Sequence, residues 1–210
     1  MARINSPFHK LAAEKKQRIM NAAFEEFIQK GYEQASTNAI VKRAGIGKGT
    51  LFHYFNSKKD LFLFLLDHCI DISDKEYIDK IDTTEGDIIK RFRDAALLKK
   101  RMMAKYPYLS DFILVAFSSN SSELINALHE RRQTLEKKGI GRIYENIDTT
   151  LFKDDLDVEK ALQLITWALD GYRNENERKL KGKTFTLEEF DLLHKEFDEY
   201  LEVLKKAFYK

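Results

Sequence analysis

Residues 36–66 read STNAIVKRAGIGKGTLFHYFNSKKDLFLFLL. Ile40, Val41 and Ala44 recur at spacings of one, three and four, the mark of a short helix with one apolar face. Gly45 follows at once as a helix stop. Residues 48–55 predict a second short helix, with Leu51, Phe52 and Phe55 facing inward and Lys48, Thr50, His53 and Tyr54 left free. Two short helices across a glycine-bearing turn form the helix-turn-helix pattern, whose second helix enters the major groove of DNA.

Working outward, residues 1–10 read as a loose arm. A first helix spans 13–30, with Ile19, Ala22, Ala23, Phe27 and Ile28 inside and Gly31 at its end. After the helix-turn-helix, Ser57 is placed to cap a helix running to about residue 81. Further helices are expected over 83–105, 108–117, 122–147, 158–180 and 187–209. Pro107 separates the first two of these, and Gly139 and Gly141 are candidate kinks. The fold class is therefore all-α, about nine helices, with a three-helix head over residues 1–56 and a helical body over residues 57–210.

The composition is 43% hydrophobic and 33% charged, which suits a helical protein with a substantial core. Cys69 is the single cysteine, which excludes a disulfide framework and a multi-cysteine metal site. The longest apolar run, 61–66, is far too short to span a bilayer, and residues 1–11 contain no apolar signal region. A cytoplasmic protein with no membrane partner is expected. The net charge of +2 conceals an asymmetry. Residues 1–60 carry eleven Lys or Arg against five Asp or Glu, a net of +6, so the other 150 residues carry −4. A basic front on an acidic body fits a nucleic-acid-binding head joined to a part with another task.

The stretch from about Lys15 to Asp67 resembles the TetR family of bacterial one-component regulators. The motifs are FEEFIQKGYEQAST, then IVKRAGIGKGTLFHYF, then SKKDLF. The resemblance implies a homodimeric regulator of double-stranded DNA, expected to be a repressor released from a palindromic operator by a small effector. It places Gly49, Thr50, His53 and Tyr54 towards DNA, with Thr50 and His53 at base edges. Helix N-termini at Gly47–Lys48 and near Thr37 offer free N–H groups to phosphate, with Lys48 adding charge, Thr37 a hydroxyl, and Lys58 reaching a flanking phosphate. Two departures stand out. Gly47 occupies a position often held by Ser or Thr, and Phe52 one often held by Tyr. Both remove a hydroxyl and shift phosphate contact onto lysines and backbone N–H groups.

GIGKGT, residues 45–50, also echoes a nucleotide-binding phosphate loop. That motif needs glycine where Lys42 stands, and a strand before the loop where the spacing here is helical. No catalytic triad, metal-ligand spacing or paired catalytic carboxylates rise above background, so no enzyme activity, cofactor or metal is expected. Two other classes remain open: a helical DNA-binding scaffold without an effector, and an enzyme with a vestigial head.

The last two helices carry apolar residues over wide arcs, which points to burial on more than one side. The resemblance implies that they pair two chains, and Leu169, Phe197 and Leu201 are the candidate interface. Between them and the head lies a store of Met and aromatic residues suited to an adaptable pocket for a small hydrophobic effector. Its candidate lining is Phe92, Met103, Phe112 and Trp167.

Overall fold

The computed structural model describes residues 6–180 and 186–210, the side chains of Ser6, Pro7, Leu180 and Leu187 excepted. Among them the regular elements are helical, apart from isolated antiparallel bridging such as Phe152 with Tyr209. In order they are α1 (Ser6–His9), α2 (Ala13–Gln34), α3 (Thr37–Ala44), α4 (Lys48–Tyr54), α5 (Lys58–Glu76), α6 (Ile88–Lys105), α7 (Pro107–Phe117), α8 (Ile125–Ile143), α9 (Val158–Leu180) and α10 (Leu187–Phe208). Single 3₁₀ turns lie at Ile78–Lys80 and Thr149–Leu151.

The chain packs as two compact units. The first comprises Met1–Ser73 with Tyr106–Leu135, the second Asp74–Lys105 with Glu136–Lys210. Packing thus groups the chain differently from a division after residue 56, because α7 returns to α2. In the first unit Phe112 of α7 stands 5.0 Å from Phe24 and 5.1 Å from Phe62 by ring centroids, and Phe27 lies 5.0 Å from Phe62. Edge-on and tilted rings at these separations form the centre of that unit.

The second unit is built around Ile88, Ile89, Ala95, Ile143, Phe152, Ala161, Ile165, Leu169 and Leu201. Its chain end is tied in by hydrogen bonds from Lys153 N to Phe208 O (3.0 Å) and from Lys210 N to Leu151 O (3.1 Å). Arg91, only 1% exposed, is held by main chain through its two terminal nitrogens, while its buried Nε has no hydrogen-bond partner among the described residues. Its guanidinium donates to Ile143 O at 2.8 Å and Thr83 O at 3.3 Å, and also to the carbonyls of Glu145 and Glu85. A buried cation is tolerated where carbonyl oxygens replace its water. Here the same contacts pin the turn before α6 to the end of α8.

Element boundaries moved where local chemistry overrode periodicity. α6 begins at Ile88 rather than at residue 83, because the Asp87 carboxylate accepts from Ile89 N (2.9 Å) and Lys90 N (3.1 Å) and so caps the helix there. Thr84 instead closes a turn onto Asp82. α5 stops at Glu76, short of residue 81, and α8 at Ile143. α10 opens with a reciprocal capping box between Thr186 and Glu189.

Candidate nucleic-acid interface

The first unit holds the helix-turn-helix in a frame of polar ties. Gly31, at φ +66°, breaks α2 one turn before its end, a backbone conformation that glycine adopts without penalty. Buried Glu26 then accepts from Ser36 N at 3.0 Å, fixing where α3 begins. The Ser36 hydroxyl caps Ala39 N. At the other end Gly45 adopts the left-handed conformation (φ +64°), and the Gly45 and Ile46 amides return to Lys42 O and Val41 O. The turn is thus closed by glycine chemistry, and α4 leaves it at Gly47 with no side-chain cap.

On α4, Leu51, Tyr54 and Phe55 point inward, at 1%, 6% and 1% exposure. Lys48, Gly49 and His53 are exposed and Thr50 is partly so. Lys48, Gly49, Thr50 and His53 therefore share the outer side of one short helix, and Thr37 is partly exposed at the first position of α3. Lys42 and Arg43 are exposed nearby; Arg43 is held by Glu25 (3.3 Å) and Glu26 (3.7 Å). A methyl group added at Gly49 would meet nothing within 4 Å, so packing inside the protein does not require glycine there.

Two expected positions are corrected. Tyr54 is buried, and Phe52, at 36% exposure, takes the outward place. The spacing 51, 54, 55 follows one helical face, whereas 52 lies about 100° round it from 51. Lys58 caps the protein itself: its ammonium donates to Glu33 O (3.1 Å) and Ala35 O (3.4 Å), 4.6 Å above the Tyr32 ring. A lysine at the C-terminal end of a helix is favoured by the exposed carbonyls and the dipole.

The arm hid a structural residue. Phe8 is 2% exposed and its ring stands 5.7 Å from Tyr54, 4.9 Å from Phe55 and 5.2 Å from Phe64. Phe8, the one phenyl ring in residues 1–10, was the available signal. Residues 1–5 of that arm lie outside the described residues.

The candidate effector lining is shared between the two packing units. Phe112 belongs to the aromatic centre of the first unit. Phe92 packs edge-on to Tyr144 in the second unit, centroids 6.0 Å apart, and Met103 is buried there at 6%. Trp167 is 63% exposed. A wide apolar arc on α9 read as interior therefore includes a solvent-facing side. The interface candidates are corrected likewise: Leu201 has no exposed surface, Leu169 is 8% exposed, and Phe197 packs on the same core. Leu169 and Leu201 therefore have little or nothing left to bury against a second chain, whereas Phe197 keeps part of its surface. On α9 and α10 the large exposed apolar residues, among those described, are Leu164 and Trp167, and Leu192, Tyr200 and Val203, between 48% and 71% accessible. A recess beside Arg91, lined also by Ile81, Ala95 and Leu98, encloses about 10 Å³, room for about one water.

Among the described residues no group of three or more His, Cys, Asp or Glu could hold a metal ion, and no helix is long and apolar enough to cross a membrane.

Comparison with known proteins places this geometry. Residues 19–65 match the family described as bacterial regulatory proteins, tetR family. Over 165 residues, 72% of this chain and 78% of the relative, the chain is 29% identical to the fatty acid metabolism regulator protein of Bacillus subtilis (strain 168). An HTH-type transcriptional regulator of Staphylococcus aureus (strain USA300) is 41% identical over 61 residues, 29% of this chain and 33% of that protein. In fold, the chain is similar to a TetR family transcriptional regulator from Chloroflexus aurantiacus J-10-fl, with a TM-score of 0.63, 20% identity and 99% of each chain covered.

Proposed function

Because this chain belongs to the tetR family of bacterial regulatory proteins, a DNA-binding transcriptional regulator by kind, we propose that it acts as a homodimeric repressor released by a small apolar effector. The observation that carries the DNA-reading part is the outward cluster Lys48, Gly49, Thr50 and His53 on α4. In the proposed complex residues 1–56 bind DNA. Lys48 and the backbone at Gly47 and Gly49 meet phosphate, Thr37 adds a hydroxyl, and Thr50 and His53 meet base edges. Tyr54 supports this surface from inside. Residues 57–210 bind effector and pair two chains.

Pairing is assigned to the exposed side of α9 and α10. Leu164, Trp167 and Gly171 recur at three and four residues along α9, facing solvent. A contiguous exposed apolar stripe marks an interaction surface. At Gly171 an added methyl would meet nothing within 4 Å in the single chain, so the glycine leaves room for close approach of a partner helix. A dimer presents two recognition helices to a two-fold-symmetric site. The name of the Bacillus subtilis relative favours genes of fatty acid metabolism as targets and an acyl compound as effector. The protein acts in the cytoplasm, has no catalytic role and needs no cofactor.

Selection of binding sites from random duplex, followed by titration at several salt concentrations, tests the reading. It predicts a near-palindromic site and a log–log salt slope that Lys48→Ala flattens by about 1 while weakening all sequences alike. Ala at Thr50 or His53 should instead relax preference at particular positions, by about 1–3 kcal/mol each. A monomer with no affinity for any duplex at low salt would overturn it.

A further inference from the structure

Among the described residues of α2, α3 and α4, Phe52 is the one large hydrophobic side chain that stands exposed. Its neighbours on α4 are used by the packing of the head. Leu51 is buried, and the rings of Tyr54 and Phe55 stand 5.7 Å and 4.9 Å from that of Phe8. Phe52 instead leaves 36% of its surface in solvent, on the helix whose other outward residues are Lys48, Gly49, Thr50 and His53.

The phase of α4 fixes where that ring sits. A helix turns about 100° per residue. With Leu51, Tyr54 and Phe55 setting the inward direction, Gly49 and His53 fall opposite, Thr50 on one flank, and Lys48 with Phe52 on the other. Lys48 and Phe52 are four residues apart, so they differ by about 40° round the axis and about 6 Å along it. A helix seated in the major groove turns its outermost side to the base edges and its flanks to the phosphate walls. Lys48, assigned to phosphate, therefore sets the wall that Phe52 approaches, one helical turn further on.

A phenyl ring has no hydrogen bond to give. Among the groups that base pairs present in the major groove, the apolar one is the thymine C5-methyl, and phenylalanine is among the side chains suited to it. That methyl projects from the pyrimidine towards its own strand's backbone, the side on which a flank residue lies. Over a purine N7 or a cytosine amine the same ring would displace water without replacing its hydrogen bonds, which costs free energy. We propose that Phe52 is a specificity-determining residue: its ring covers the methyl group of a thymine beside the phosphate that Lys48 holds. The inference deepens the proposed function and rests on reading α4 as the helix that meets DNA. It adds an apolar contact to the polar ones assigned to Thr50 and His53, once in each half-site.

The experiment replaces thymine by deoxyuridine, one position at a time, in a duplex selected from a random pool by the full-length protein. The exchange removes the methyl group and leaves base pairing intact. At one thymine per half-site, uracil is expected to weaken binding about fourfold, the worth of one buried methyl group. Replacement in both half-sites should weaken it about sixteenfold. Phe52→Ala should bind the thymine and uracil duplexes equally, whereas Phe52→Leu, still apolar, should keep a preference for thymine. A purely supporting role for the ring would make Phe52→Ala weaken both duplexes by the same factor and leave the thymine preference intact, which would overturn the inference. So would a selected site at which no thymine responds to uracil, a comparison made on the natural protein and therefore independent of how any variant folds. Failure to select any duplex would sink the assignment of α4 to DNA and this inference with it. A selected site without thymine sensitivity that depends on Phe52 would sink this inference alone.

Discussion

The ring of Phe8 stands 5.7 Å from that of Tyr54, edge to face, so the N-terminal arm closes the inner side of the helix whose outer side is assigned to DNA. Phe8→Ala removes a fully buried aromatic that also meets Phe55 and Phe64. It should cost about 3–5 kcal/mol, the range for such truncations, and weaken operator binding by loosening α4. Urea unfolding and a binding titration measure the two together. A variant as stable as the natural protein would show the arm to be dispensable.

Gly49 tests the outer surface from the other direction. It is exposed in the first turn of α4, and a methyl group would meet nothing within 4 Å. Gly49→Ala should therefore stabilise the isolated protein by about 0.5–1 kcal/mol through the unfolded chain. If the backbone there lies against phosphate, the same methyl group should weaken operator binding. Higher stability with undiminished DNA affinity would move the DNA-contacting surface away from Gly49.

How far the sequence could be read depended on what kind of signal each element carries. The turn 45–47 and the helices flanking it are encoded locally, by glycine stops and three-four spacing, and α3 and α4 stand where those signals place them. The inward and outward sides of α4 were harder, because three aromatic residues occupy 52, 54 and 55 and any pair of them looks like a core face; only the phase relative to Leu51 decides. The intramolecular contacts of Lys58 were not legible because its partners, Glu33 and Ala35, belong to the end of another helix. On α9 and α10 both sides are apolar, so periodicity alone could not tell Leu201, buried inside, from Val203, 62% exposed. The effector lining was not legible for a related reason: Phe112 and Phe92 are alike in composition but belong to different packing units.

Asp87 links capping to acid stability. Burial alone would raise its carboxyl, but hydrogen bonds from Lys90 N, the Tyr209 hydroxyl (2.9 Å) and Ile89 N, with the nearby Lys205 ammonium, outweigh burial and hold it below the ordinary aspartate value. A carboxyl lowered in the folded state contributes stability that is fully present above its unfolded pKa, about 3.9, and is lost as pH falls through the lower folded value. Asp87→Ala should cost about 1 kcal/mol at pH 7, the typical loss of a helix cap. The gap between variant and natural protein should shrink as pH drops below about 4. Urea unfolding at pH 7 and pH 3 gives the comparison, and a gap independent of pH would remove the carboxylate from the explanation.

The two apolar sides of α9 and α10 should respond oppositely to charge. Trp167 and Leu192, at 63% and 71% exposure, contribute little to the packing of the single chain. Trp167→Glu with Leu192→Glu should therefore leave a folded protein with native helix content while converting dimer to monomer, because charged side chains would lie within the apolar contact between two chains. Operator affinity should fall with it, since a monomer engages one half-site at a time. Leu201→Glu, by contrast, places a carboxylate at a position with no exposed surface, against Ile88 and Ile165 in the same core. Burying an unpaired charge there should destabilise the chain by more than about 4 kcal/mol, and the protein should lose its cooperative unfolding transition rather than dissociate. Light scattering and circular dichroism on the same samples separate the outcomes. A double variant that remains dimeric would place the pairing surface elsewhere on the chain.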